Sequence, residues 1–146
     1  DFKLSSGTWV NVGALRIAGI AALAPLAQDI VVAGHGTDEV HFLVVPNIAA
    51  CRSKAALANT ASIGEVLAHP AVRDAIAEGM AKLRMEAVGS SRYATRALLM
   101  AEPPSLDAGE ITDKGSINQR AVLENRKDLI ERIYAATPGD DIILAR

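Results

Sequence analysis

Asp29-Ile30-Val31-Val32-Ala33-Gly34-His35-Gly36-Thr37-Asp38-Glu39-Val40-His41-Phe42-Leu43-Val44-Val45 is the stretch on which the fold turns. DIVVAG (29–34) and VHFLVV (40–45) are β-branched apolar runs, and His35-Gly36-Thr37-Asp38 between them has the composition of a turn. A hairpin is expected. Its near-continuous apolarity predicts burial on both faces, since a half-wetted strand alternates polar and apolar residues. Within it His41 alternates with apolar residues and is expected at solvent or at a sheet edge. Pro46-Asn47 stops the second strand.

Upstream, Phe2–Leu4 and Thr8–Val12 read as two short strands around Ser5-Ser6-Gly7, with Gly7 supplying a positive φ. Gly13–Ala27 carries Leu15, Ile20, Leu23 and Leu26 at near-helical spacing, and Pro25 ends or kinks that helix. Downstream, Ile48–Ala58 is an Ala-rich helix candidate. Ser62-Ile63-Gly64-Glu65 has capping-box spacing, and the stripe Ile63, Val66, Leu67, Val72, Ile76, Met80, Leu83 is split into two helices at His69-Pro70. Ala94–Met100 reads as a third strand. A long polar loop then runs from Pro103 to Ser116, and Asn118 caps a final helix over Gln119–Ala135 with the stripe Val122, Leu123, Ile130, Ile133. DDIILAR at the end is a tail or a short added strand. The expectation is one α+β domain over residues 1–146, with α/β-like character: an N-terminal hairpin plus a central mixed sheet of about three strands packed by helices. Strand order is not readable.

The 146 residues are 50% hydrophobic and 22% charged, enough for one packed core. Aromatics are only 3%, so Ala, Leu, Ile and Val must build it. The net charge of −2 gives no reason to expect nucleic acid or an anionic membrane surface as partner. The apolar run Val12–Ala27 is interrupted by Arg16 and Pro25 and is short for a spanning helix. The lone Cys51 has no internal disulfide partner, which fits a reducing cytoplasm, and it reads as a small buried hydrophobe. His35, His41 and His69 lack acidic or Cys companions at ligand spacing, so no metal site is expected. Neither GxxxxGK nor GxGxxG is present. Glu124, Arg126, Lys127, Asp128, Glu131 and Arg132 read as a solvated, mixed-sign helix face.

One segment points to chemistry: Gly109-Glu110-Ile111-Thr112-Asp113-Lys114-Gly115-Ser116-Ile117-Asn118-Gln119-Arg120. A lysine on a glycine-flanked loop suits phosphate or carboxylate oxygens, because a flexible ammonium can follow charge developing on an oxyanion. A solvated turn has the same composition, and residue physics alone favours the turn.

The same segment resembles the terminal loop of the AMP-forming acyl-CoA synthetases of the adenylate-forming superfamily, most closely the feruloyl-CoA synthetase branch, whose tail reads much like ITDKGSINQRAVLENR. FKLSSGTWVNVGALR resembles the segment that follows the interdomain hinge of that superfamily. The resemblance implies a small C-terminal lid domain whose partner is the N-terminal domain of the same polypeptide, with the present chain a piece of that longer protein. It implies ATP (with magnesium) and coenzyme A as co-substrates of the complete enzyme, neither held by this piece alone, and a carboxylic acid substrate of hydroxycinnamate type. The implied reaction is adenylation of the carboxylate, then thioester formation.

For the first step the superfamily places a lysine just after the loop glycine. Gly115 matches that glycine and Ile117 the following apolar residue, so the lysine position falls on Ser116. Either Lys114 reaches the same place by another path or this branch does without the lysine; Lys114 is the preferred substitute, with Thr112, Gly115 and Ser116 beside it. For the second step Lys3 and Gly7 match the hinge-following motif, and Gly7, Thr8 and Trp9 are the implied border of the thiol tunnel. A plain hairpin with Trp9 partly buried accounts for the same residues. The alternative for the whole chain is a non-catalytic α+β interaction module, for which the missing lysine at position 116 is the best support.

Overall fold

The structure, a computed structural model, describes residues 1–145. A two-stranded hairpin, β1 (Phe2–Lys3) and β2 (Trp9–Val10), leads into α1 (Val12–Leu23). Strands β3 (Ala27–Ala33) and β4 (His41–Pro46) follow, then α2 (Ile48–Ala55), α3 (Ile63–Ala68), α4 (Pro70–Glu86) and β5 (Arg96–Leu99). The long loop precedes α5 (Gln119–Asn125), α6 (Lys127–Tyr134) and β6 (Ile142–Leu144). The main sheet runs β3-β4-β5-β6, with β4 and β5 parallel and the outer pairs antiparallel. The α+β class is therefore as expected, but the sheet has four strands rather than about three. The C-terminal tail supplies the fourth, with Ile142 opposite Leu98 and Leu144 opposite Arg96.

Two-faced burial of the central hairpin is realised. Ile30, Val32, Phe42, Val44, Ala97 and Ile143 pack beneath α1–α4. Val31, Leu43, Val45, Leu98 and Ile142 point the other way, against Val122 of α5 and Ile133 of α6. The result is three layers with two hydrophobic cores, and each fully buried Val, Leu or Ile contributes about 1.5–3 kcal/mol. Gly79 of α4 lies so close to α1 that a Cβ there would sit 2.6 Å from the Ala22 carbonyl oxygen. His41 is on the α6 side and is buried, 5% exposed, with its ring 4.8 Å from that of Tyr134. The expectation of a solvent or edge position fails because β4 is a central strand, covered on that face by α6.

Local signals set most boundaries. Asn11, Asn47 and Asn118 each accept a backbone N–H three residues on, capping α1, α2 and α5. Ser62 caps α3, its hydroxyl accepting from Glu65 N–H and donating to the Glu65 carboxylate, and Pro70 opens α4 with the His69 ring accepting from Ala71 N–H. The first helix ends at Leu23, earlier than Ala27, because the residue before a proline is driven out of the helical region; Ala24 is extended at φ −60°, ψ 142°. Helix α2 stops at Ala55 rather than Ala58, with Ala56 left-handed at φ 53°. The final helix is not continuous over Gln119–Ala135. It breaks at Arg126, whose backbone lies at φ −115°, ψ 46° and whose side chain is held by the long loop.

Candidate functional site

The two candidate segments fold into the same turn. In the first, Leu4 N–H donates to Thr8 O (2.9 Å) and Gly7 N–H to Leu4 O (2.9 Å), with Gly7 at φ +86°. In the second, Thr112 N–H donates to Ser116 O (2.8 Å) and Gly115 N–H to Thr112 O (2.9 Å), with Gly115 at φ +81°. Each is a three-residue hairpin loop whose last member sits in the left-handed region, where glycine is nearly free of strain. The structure thus brings Thr112, Lys114, Gly115 and Ser116 together in one hairpin, bridged at Ile111 and Ile117. Lys3, Gly7, Thr8 and Trp9 meet in the other. Among the described residues no hydrogen bond or ion pair joins the two hairpins.

At the second tip Lys114 is exposed and, among the described residues, has no hydrogen-bond or ion-pair partner. The Thr112 and Ser116 hydroxyls pair with each other at 2.8 Å, and Ser116 N–H also donates to Thr112 Oγ1 (3.3 Å). Ser116 therefore braces the hairpin across its arms, while the charge is at Lys114.

At the first tip Lys3 stands opposite Trp9, its Nζ 4.9 Å from the ring centroid. Trp9 is 62% exposed, so it is not a core aromatic. The tip is fastened to the β3–β4 turn, where Gly36 N–H donates to Lys3 O (2.9 Å) and Ser5 N–H to Thr37 O (2.8 Å).

Three residues that hold the second hairpin escaped sequence reasoning. Glu110, at its base, is 2% exposed and accepts from Arg126 through both carboxylate oxygens, Nε at 3.0 Å and Nη2 at 2.9 Å. Arg126 also donates to the carbonyls of Glu102 (2.7 Å) and Pro103 (2.9 Å). The Arg126 guanidinium holds the Glu110 carboxyl below the usual carboxylate range despite its desolvation. Arg126 is therefore not part of a solvated face, although Glu124, Lys127, Asp128, Glu131 and Arg132 are exposed. A signal existed: Arg126 occupies a stripe position between Val122 and Ile130, and a charge there requires a buried partner.

The third is Gln119. Its side-chain amide accepts from Val32 N–H (3.0 Å) and donates to Ile30 O (2.9 Å), capping the free edge of β3 and seating the start of α5 on it.

Elsewhere, burial raises the Cys51 thiol pKa, which leaves it a poor nucleophile. Among the described residues no group of three or more His, Cys, Asp or Glu is placed to hold a metal ion, and no helix is long and apolar enough to cross a membrane. A cleft of about 640 Å³ beside Arg126 has an apolar floor of Leu98, Leu99 and Met100 and mixed charges on its rim.

The chain is a three-layer α+β domain carrying two glycine hairpins. Residues 4–138 match the AMP-binding enzyme C-terminal domain, and the chain belongs to that family. No curated protein sequence matches it. The fold is similar to part of the A-PCP didomain of a carboxylic acid reductase from Segniliparus rugosus in complex with AMP, with TM-score 0.68 and 22% identity over 91% of this chain and 17% of that one. It is equally similar to the A domain of carboxylic acid reductase from that organism in complex with AMP and a co-purified carboxylic acid, with TM-score 0.68 and 22% identity over 91% and 19%. The adenylation domain of a carboxylate reductase from Mycobacterium chelonae gives TM-score 0.66 and 20% identity over 91% and 19%. The chain spans less than a fifth of the length of these proteins. At such identities the likeness establishes the fold.

Proposed function

We propose that this domain is the mobile C-terminal lid of an AMP-forming acyl- or aryl-CoA ligase, closing over a larger N-terminal domain of the same polypeptide. In the first step a carboxylate oxygen attacks the α-phosphorus of ATP, giving an acyl-adenylate and pyrophosphate. In the second the thiol of coenzyme A, losing its proton, attacks the acyl carbon and expels AMP. The Lys114 hairpin serves the first step, its ammonium set against the negative charge gathering on the carboxylate and α-phosphate. Thr112, Gly115 and Ser116 shape that hairpin. The Gly7 hairpin, with Lys3, Thr8 and Trp9, serves the second by bordering the path of the thiol. The acid is of hydroxycinnamate type, and the complete enzyme works in the cytoplasm.

One observation carries the reading: a lysine exposed at the tip of a glycine hairpin and unpaired among the described residues, in a domain of the AMP-binding enzyme family. An ammonium left without a partner is available to a ligand anion.

The test uses the full-length polypeptide carrying Lys114→Ala, with ferulate as the first acid. Acid-dependent ATP–pyrophosphate exchange is expected to fall about a hundredfold, the scale for losing one charge-stabilising donor. Thioester formation from a preformed acyl-adenylate is expected to persist. Full exchange by the variant would refute the role of Lys114.

A second reading is favoured by the likeness to carboxylic acid reductase A domains. It keeps the adenylation step and changes the thiol acceptor. Acid-dependent pyrophosphate release without any acyl-CoA when coenzyme A is supplied would select it.

A further inference from the structure

We propose that Arg126 and Glu110 are positioning residues for adenylation: together they clamp the base of the Lys114 hairpin and so fix where the Lys114 ammonium lies. This rests on the lid reading above and adds what that reading lacks, a device that gives an exposed loop a defined place.

The geometry is a chain of contacts with no gap. The loop between β5 and α5 has few apolar anchors, and Leu106 within it is 66% exposed. Its order comes from Glu110. The Glu110 carboxylate accepts from Ser105 N–H (3.0 Å), and Glu110 N–H donates to Ser105 O (2.9 Å), closing the stretch 105–110 on itself. The Glu110 carbonyl accepts from Asn118 N–H (2.9 Å), the last rung of the hairpin before α5 begins. Above that rung stand the Ile111–Ile117 bridge, the Thr112–Ser116 bonds and the Lys114 tip.

Glu110 is thus both the hairpin's lowest rung and, among the described residues, the only carboxylate that Arg126 grips. Arg126 holds it with two parallel bonds, the geometry that fixes orientation as well as distance. The same guanidinium takes the Glu102 and Pro103 carbonyls at the other end of the loop. Loop start and hairpin base therefore share one planar group. The interruption of the helix at Arg126 accompanies this grip, since α5 and α6 meet at the residue whose side chain is so engaged. Asn125 adds a further tie, its amide donating to Ala108 O (3.0 Å). In this proposal the clamp acts on adenylation through Lys114.

Full-length polypeptide carrying Glu110→Gln or Arg126→Lys tests this, with Lys114→Ala as reference and with an acid that supports wild-type exchange, ferulate first. Gln keeps the size of Glu110 but loses one acceptor pairing, and Lys keeps the charge of Arg126 but cannot bind two oxygens in a plane. Amide hydrogen exchange over residues 111–117 reports the hairpin, and that over β4 and β5 reports the body. The expected result is loss of protection at 112–116 with the sheet unchanged, and a fall of about tenfold to a hundredfold in pyrophosphate exchange, chiefly in kcat, as for a catalytic group displaced by about 1 Å. Thioester formation from preformed acyl-adenylate is expected to hold.

If Lys114→Ala abolishes adenylation while both clamp variants adenylate at the wild-type rate, the clamp inference is wrong and the lid reading stands. Equal loss in both half-reactions also overturns it, because general unfolding of the lid would do that. If Lys114→Ala itself adenylates normally, the adenylation role of Lys114 falls and the clamp inference with it.

Discussion

Lowering the pH should weaken this domain through one histidine. His41 is central in the sheet, opposite Arg96 in the β4–β5 register, with Tyr134 of α6 against its ring and Glu39 nearby on its own chain segment. Burial, then the Arg96 charge, pushes its pKa down to about 4 from an ordinary 6.5, with Glu39 opposing. Tyr134 adds no charge there in this range, since burial, against a hydrogen bond with Thr37, raises its own pKa to about 12. Between pH 6.5 and 4 the unfolded chain therefore binds a proton at His41 that the folded chain refuses. Stability from this group is complete at neutral pH and is lost as pH falls through that window. With these values the loss is about 2 kcal/mol by pH 5 and about 3 kcal/mol by pH 4, where it levels off. Carboxylates titrate in the same range, so the measurement is a difference. Urea unfolding of wild type and His41→Leu would be followed from pH 7 to pH 4, the leucine keeping most of the volume and removing the titration. The wild type should lose about 2–3 kcal/mol more than the variant over that span. Parallel curves would show that His41 titrates normally and that its burial does not resist protonation.

Two further substitutions test the supports of the second hairpin. Gln119→Ala leaves Val32 N–H and Ile30 O uncapped at the β3 edge and should cost about 1–2 kcal/mol in urea unfolding; unchanged amide protection at Val32 would contradict the capping role. Gly115→Ala puts a side chain into open space but at φ +81°, so only backbone strain of about 1 kcal/mol is expected in thermal unfolding. Gly7→Ala, at the matching place in the first hairpin, should cost the same, and a large difference between the two would mean that one tip has contacts the other lacks.

How far the sequence speaks for this structure depends on the range of the interactions involved. The central hairpin was readable because Val31, Leu43 and their neighbours declare burial on both faces within one short window. Asn118 and Ser62 were readable as caps because capping is a contact over three residues. The break at Arg126 was not, since Val122, Leu123, Ile130 and Ile133 keep a smooth helical stripe across it. The arginine there is engaged by a carboxylate 16 residues earlier and by two loop carbonyls, contacts no local pattern reveals. Glu110 was hidden for the same reason, because a lone Glu in a polar loop looks solvated until its distant partner is known. His41 was misplaced because alternation gives the face a residue points to but not what covers that face. Residues 142–144 were undecidable, being a strand of three residues that exists only by pairing with β5. At the site, Lys114 and its turn were legible as a turn. That the turn has a built foundation was not.

The two hairpins are fixed by unlike means, and this bears on how such a lid would work. The first is tied by main-chain hydrogen bonds to the β3–β4 turn, and so to the sheet. The second is tied by Glu110 and Arg126 to the α5–α6 junction, with Gln119 seating α5 on β3. Each hairpin is thus tied at its base or tip to the body of the domain. No hydrogen bonds or ion pairs couple one tip to the other among the described residues. Under the lid reading, an exchange of one tip for the other at a distant active centre must then come from rotation of the whole domain, with both hairpins keeping their shape. A loop that folded anew at each step would pay its ordering entropy every turnover, roughly 1–2 kcal/mol for each residue fixed. Over a seven-residue hairpin such as 111–117 that cost would be about 7–14 kcal/mol, several times the roughly 3 kcal/mol that a hundredfold effect of the lysine represents. A loop ordered in advance leaves that interaction for the transition state, which is the physical advantage of a clamp placed away from the chemistry.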